Sequence, residues 1–229
     1  MLSDATKWKL IFGSKNATGG SWDNVMDKSF YRVLYYYIPI LIGCYGVTEF
    51  CLKQVTDWNG LKLKKLAGQL SFYPAFFYLV YTSHIGSFMD PTFWSSEARF
   101  HTSSQIIDDF ANFYIACNIV QAIGQIQTEK PPLLYQLLVH HVISIACFTS
   151  SFYFDRFRWW EAFAGCCEIT NIFLVPVFAC KEFFPEWQEQ TWYLWNCRLL
   201  WITFVIHRLV LFPCKFTDRL TLSDSFLCV

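Results

Sequence analysis

Six stretches of mostly apolar residues alternate with short polar segments along the chain. They cover residues 31–51, 66–88, 106–127, 133–154, 159–180 and 191–212. Each stretch is close to the about 20 residues that a helix needs to cross the hydrocarbon core of a bilayer. The pattern therefore predicts an all-α protein, a polytopic bundle of about six transmembrane helices. A seventh, shorter span stays open as an alternative.

Turn-forming residues mark the connectors between these stretches. The run Asp57-Trp58-Asn59-Gly60 predicts a turn, and Pro131-Pro132 stands directly before the fourth stretch, because proline favours the first position of a helix. No internal repeat interrupts the pattern. We therefore expect one transmembrane domain over 30–215, with a polar segment 1–29 before it and a short polar tail 216–229 after it.

Composition supports the membrane interpretation. Apolar residues make up 54% of the chain and aromatic residues 20%, whereas charged residues make up only 16%, compared with roughly a quarter in soluble domains. Such a chain is not intrinsically disordered, because disordered segments are poor in aromatic residues. Eighteen basic and eighteen acidic residues cancel, so no basic surface for nucleic acid is expected.

The metal-ligating residue types do not form a metal-binding pattern. Most of the ten cysteines lie in or beside apolar stretches and none forms a C-x-x-C pair, so we interpret them as small buried hydrophobes. His140 and His141 are adjacent, whereas two histidines on one helix need a spacing of four to share a metal ion. We expect no metal site and no bound cofactor.

Polar residues inside the predicted spans are candidate functional residues, because they are costly in hydrocarbon. In two of the spans these residues form a stripe at helical spacing, because neighbours on one helix face are three or four residues apart. The fourth span carries Gln136, His140, Ser144, Cys147 and Ser151, and the fifth carries Glu161, Gly165, Glu168 and Asn171. Gly165 has no side chain, so it allows a neighbouring helix to approach closely.

The two stripes should face each other, since neither can satisfy its polar groups in lipid. We expect a cavity lined by His140, His141, Glu168 and Asn171, with Asn118 of the third span beside it. A histidine next to a carboxylate can act as a general base or a nucleophile. A single buried Asn or Gln more often only joins helices by hydrogen bonds, so the histidine pair carries the functional hypothesis.

Several segments resemble the TLC (TRAM–LAG1–CLN8) domain family, in particular its ceramide-synthase branch, over roughly 60–215. The His140-His141 pair and Ser151-Phe152 align without a gap, as do Arg158 and Cys167-Glu168. Further similarity comes from Phe113-Tyr114, from Asn171 and from a closing segment that runs from Ile206 through Arg208 to Pro213. Cys167 stands where the family has a histidine and Asn171 where it has an aspartate.

The resemblance implies a helical bundle in the endoplasmic-reticulum membrane, or in another organelle membrane, around a lipid-accessible cavity. It implies catalytic roles for His140, His141 and Glu168, with acyl-CoA as the substrate that would donate an acyl chain to a sphingoid base. Substrate-binding residues would then be Asn171, Ser144, Ser151, Asn118, Arg158 and Arg208. A Glu at position 168 is more similar to TLC proteins that are not synthases.

Three functions remain open from the sequence. The first is binding, sensing or regulation of membrane lipids in the cavity, without synthase activity. The second is N-acyl transfer to a sphingoid base, with Arg158 meeting the phosphates of CoA. The third is a non-catalytic accessory or escort subunit with protein partners in the membrane. A transporter is not favoured, because no inverted repeat is visible.

Overall fold

The computed structural model describes residues 20–89 and 104–211, apart from the side chains of Met89 and Arg158. All regular structure in these two ranges is helical, which confirms the predicted class. The six long helices are α1 (Trp22–Val55), α2 (Gly60–His84), α3 (Gln105–Thr128), α4 (Leu133–Phe154), α5 (Trp159–Phe183) and α6 (Thr191–Leu211). A short 3₁₀ helix, Pro185–Glu189, connects α5 to α6.

Four of these helices, α1, α4, α5 and α6, are long and apolar enough to cross a membrane. The chain is therefore compatible with an integral membrane protein. Helices α2 and α3, the second and third predicted spans, have 25 and 24 residues, which is also sufficient length for a bilayer. They are less apolar because they contain more polar residues, many of them buried between neighbouring helices.

Helix α1 begins earlier than the apolar pattern predicts. Its first residue is Trp22, within the predicted polar segment, because Ser21 caps the helix. The Ser21 hydroxyl accepts a hydrogen bond from the backbone N–H of Asp23 at 3.1 Å, which satisfies one of the free donors of the first turn. The Trp22 ring packs on Tyr153 of α4, with ring centroids 5.1 Å apart.

Consecutive helices run in opposite directions. The end of each helix therefore lies at the same end of the bundle as the start of the next one. At one end, Lys65 of α2 pairs with Glu129 at the end of α3 (3.2 Å) and with Glu182 of α5 (2.7 Å). At the other end, Lys28 of α1 pairs with Asp155, which follows α4 (2.7 Å). These ion pairs connect helices that are distant in sequence.

The core lies between α1, α2, α3, α4 and α5. Phe110, Ala111 and Ala116 of α3 and Leu79 of α2 are completely buried in it. Helix α6 has no buried residue in its apolar window, so it packs on the outside of the bundle. The eight cysteines in the described ranges are all free.

Some predicted features lie outside the described residues. These are most of the N-terminal segment 1–29, the closing Pro213 and the tail 216–229. Within the described ranges, the connectors agree with the predicted turns: α2 begins at Gly60 and α4 begins directly after Pro132.

Candidate functional site

His141 is buried between α4 and α3, and both of its ring nitrogens have partners. Nδ1 lies 2.7 Å from Oδ1 of Asn118, and Nε2 lies 3.0 Å from the side-chain amide of Gln125. The Asn118 NH₂ group donates to the backbone carbonyl of Tyr114 at 2.8 Å, so its oxygen faces the imidazole. His141 Nδ1–H is then the donor to Asn118. Nε2 faces Oε1 of Gln125, an oxygen for which a neutral ring has no second N–H to donate.

Tyr114 connects this part of the site to the acidic part. Its hydroxyl lies close to Glu168, Ser144 and Asn118. These partners come from α5, α4 and α3. The tyrosine is therefore the point at which the polar stripes of three helices meet.

Glu168 is 9% exposed and is held by a neighbour on its own helix. Asn171 Nδ2 donates to Glu168 Oε2 at 2.6 Å. The guanidinium of Arg208 on α6 attracts the carboxylate electrostatically and donates a hydrogen bond to Thr170 Oγ1 at 3.3 Å. Glu168 is the last residue of a short 3₁₀ turn, Cys166–Glu168.

The structure brings together most of the predicted site residues. We call this set the polar network: His141, Asn118, Tyr114, Ser144, Glu168, Asn171 and Arg208. Its central members lie near the middle of their helices, since Asn118 is roughly 20 Å along α3. Ionisable groups at this depth in a membrane bundle are expensive unless they are paired or used.

The remaining predicted residues lie apart from the polar network. His140 is exposed on a different face of α4, although its ring centroid is 5.6 Å from that of His141. Ser151 is buried near the end of α4 and donates to the Phe148 carbonyl at 2.9 Å. Arg158 is at the start of α5, and its side chain lies outside the described part of the structure.

The geometry separates the histidine from the acid. A nucleophile or base activated by a carboxylate requires direct hydrogen-bond contact between the two groups. Among the described residues, no hydrogen bond or ion pair joins His141 to Glu168. The ring contacts Asn118 and Gln125, and the carboxylate contacts Asn171. The network can therefore hold a polar group, but it does not contain a preformed His–Glu pair.

Tyr114, a member of the polar network, and Gln125, which contacts His141, were not among the residues predicted for the site. A signal for both exists in the sequence, because Tyr114, Asn118 and Gln125 are spaced by four and seven and thus share one face of α3. Spacing alone does not determine which face of α3 packs against α4, so it could not identify this face as part of the site.

A cleft of about 740 Å³ lies elsewhere, between α1, α2 and α3. Among the residues of 20–89 and 104–211, no group of three or more metal-ligating side chains is suitable for a metal ion.

Comparison with known proteins gives no further guide: no family model, no curated protein and no solved structure matches this chain.

Proposed function

We propose that this chain is a TLC-like integral membrane protein that binds, senses or regulates membrane lipids through the polar network. One observation carries the proposal: the carboxylate of Glu168, the guanidinium of Arg208 and the buried ring of His141 all lie within apolar helices long enough to cross a membrane. Helix packing alone rarely requires three ionisable side chains within such helices.

The position of Arg208 supports access from the lipid. Arg208 is exposed on the outer helix α6, and its guanidinium reaches Thr170 on α5. An arginine in this position can form hydrogen bonds to a lipid phosphate or carbonyl oxygen. We infer that the polar part of a lipid enters between α5 and α6 and reaches Glu168 from there.

N-acyl transfer from acyl-CoA to a sphingoid base is the second candidate. It is supported by the resemblance and by the carboxylate of Glu168, which could bind an amine. We rank it below lipid binding, because His140 is exposed and both His141 nitrogens are occupied by amides.

An accessory role with protein partners is the third, and the apolar outer surface of α6 would suit it. The endoplasmic reticulum remains the proposed membrane.

The adjacent histidines allow a matched experiment. The wild-type protein and the variants His141→Gln and His140→Gln are purified in mild detergent, and co-purified lipids are measured by mass spectrometry. We expect His141→Gln to lose bound lipid, because it disturbs the buried network, and His140→Gln to retain it. Thermal unfolding of each variant verifies that the fold is intact.

The same preparations distinguish the alternatives. Incubation with labelled acyl-CoA and a sphingoid base would give an N-acyl product that disappears in His141→Gln if the protein is a transferase. Equal lipid in all three proteins, without product, would contradict both lipid binding and acyl transfer at this site and would favour an accessory role.

A further inference from the structure

The cleft between α1, α2 and α3 has a lining of unusual chemistry. Its walls are mostly aromatic, and a charged pair lies among them. The lining residues used below are Tyr31, Tyr36, Tyr37, Tyr78 and Phe113, with Arg32 and Asp109. Several rings are fixed against one another edge to face: Tyr37 contacts Phe113 with centroids 5.4 Å apart, and Tyr78 contacts Phe113 at 4.8 Å.

The charged pair retains free binding capacity on both partners. Arg32 Nη1 donates to Asp109 Oδ1 at 2.9 Å, and the Tyr37 hydroxyl donates to the same oxygen at 3.3 Å. Among the described residues, none donates a hydrogen bond to Oδ2 of Asp109. The Arg32 side chain lines the cleft and is about half exposed, so it is accessible to a ligand.

The cleft lies near the bundle end at which α3 begins. Asp109 is in the second turn of α3, roughly 6 Å from its first residue. Tyrosines are enriched at this level of membrane proteins, where lipid headgroups meet the hydrocarbon. A ligand in the cleft would therefore be within reach of a headgroup.

We propose that this cleft binds the headgroup of a choline phospholipid. A quaternary ammonium is recognised by the faces of several aromatic rings near a carboxylate, and here the tyrosines and Asp109 offer both. The phosphate next to it would accept hydrogen bonds from Arg32, since guanidinium groups bind phosphate oxygens in pairs. One positive and one negative protein group are thus available for the two opposite charges of a zwitterionic headgroup.

The same chemistry favours choline over ethanolamine. A primary ammonium is compact and strongly hydrated, so moving it against aromatic rings costs more than moving a trimethylammonium. The inference rests on the proposed function in one respect, because it identifies the class of lipid that the protein takes up. It uses residues that are separate from the polar network.

The test measures retention of phosphatidylcholine and phosphatidylethanolamine by the full chain in nanodiscs of equal composition. The variant Tyr36→Leu removes one exposed ring (61% exposed), and Tyr135→Leu on α4 is the matched control (63% exposed). We expect the wild type to prefer phosphatidylcholine and Tyr36→Leu to weaken that preference about fivefold. Tyr135→Leu should leave it unchanged, and Arg32→Gln should weaken both lipids, since they share the phosphate.

Three results would overturn the proposal. The first is equal retention of the two lipids by the wild type, and the second is an equal effect of Tyr36→Leu and Tyr135→Leu. The third is binding of soluble phosphocholine, measured by calorimetry, without retention of phosphatidylcholine, which would make the ligand a free solute. If choline preference persists while His141→Gln retains all its lipid, the proposed role of the polar network fails and the headgroup site stands.

Discussion

The contact between Gly165 of α5 and Phe110 of α3 gives the most direct test of how the bundle packs. A Cβ atom added at Gly165 would overlap three atoms of the Phe110 ring. Phe110 is fully buried, so its ring has no free space into which to move. The substitution Gly165→Ala should therefore destabilise the protein, although alanine is the better helix former.

The expected magnitude follows from two opposing contributions. Overpacking a rigid core costs about 3 kcal/mol at the upper end of the usual range, and replacing glycine by alanine in a helix returns about 1 kcal/mol. The net loss is about 2 kcal/mol, which lowers the Tm of a chain of this size by about 4–8 °C. Thermal unfolding in detergent, followed by circular dichroism, measures it.

Gly124→Ala is the matched control. Gly124 lies on α3 with nothing within 4 Å of the added Cβ, so this variant should be at least as stable as the wild type. The double variant Phe110→Leu/Gly165→Ala should be more stable than the sum of its single changes, because a smaller side chain accommodates the methyl group. If Gly165→Ala behaves like Gly124→Ala, α5 does not pack on α3 as described.

Three further outcomes are expected from thermal unfolding of the purified chain. Lys65→Met should cost about 1 kcal/mol of unfolding free energy, more than Lys64→Met at an exposed position. Burial lowers the pKa of Lys65, but its two glutamate partners raise it more, so the pKa lies above its usual value. The loss should therefore be constant from about pH 6 to about pH 9 and should vanish only at higher pH. A loss no larger than that of Lys64→Met would contradict the three-helix contact. Asn118→Leu should cost about 1–3 kcal/mol, because it leaves the His141 N–H unpaired, and adding His141→Phe should recover part of that loss. Ser21→Ala should cost about 1 kcal/mol by removing the cap of α1; an unchanged Tm would contradict the cap.

The pattern of apolar residues predicted the helices because a membrane-spanning helix must be long and apolar by itself. The start of α4 after Pro132 and the close approach at Gly165 were both visible in the sequence and are confirmed. The early start of α1 was not, because the capping turn at Ser21 is polar and the packing of Trp22 on Tyr153 joins residues far apart in the chain.

The candidate site was partly predictable for a similar reason. Helical spacing identified the stripe of His140 and Ser144 and the stripe of Glu168 and Asn171, since spacing reports which residues share a face. Spacing placed His140 on the stripe and His141, about 100° away around α4, at its edge, whereas the structure exposes His140. The rotation of α4 against α3 makes His141 the buried member.

The sequence by itself determined that this chain forms long apolar helices, and it limited the costly polar groups to a few helix faces. Only the tertiary structure decided which of those faces meet, that Tyr114 connects the histidine side to the acid side, and that an aromatic cleft with a charged pair forms between α1, α2 and α3. The physical reason is that apolarity and helical period are properties of each segment alone, whereas a hydrogen-bond network or a cleft requires the relative rotation and height of several helices.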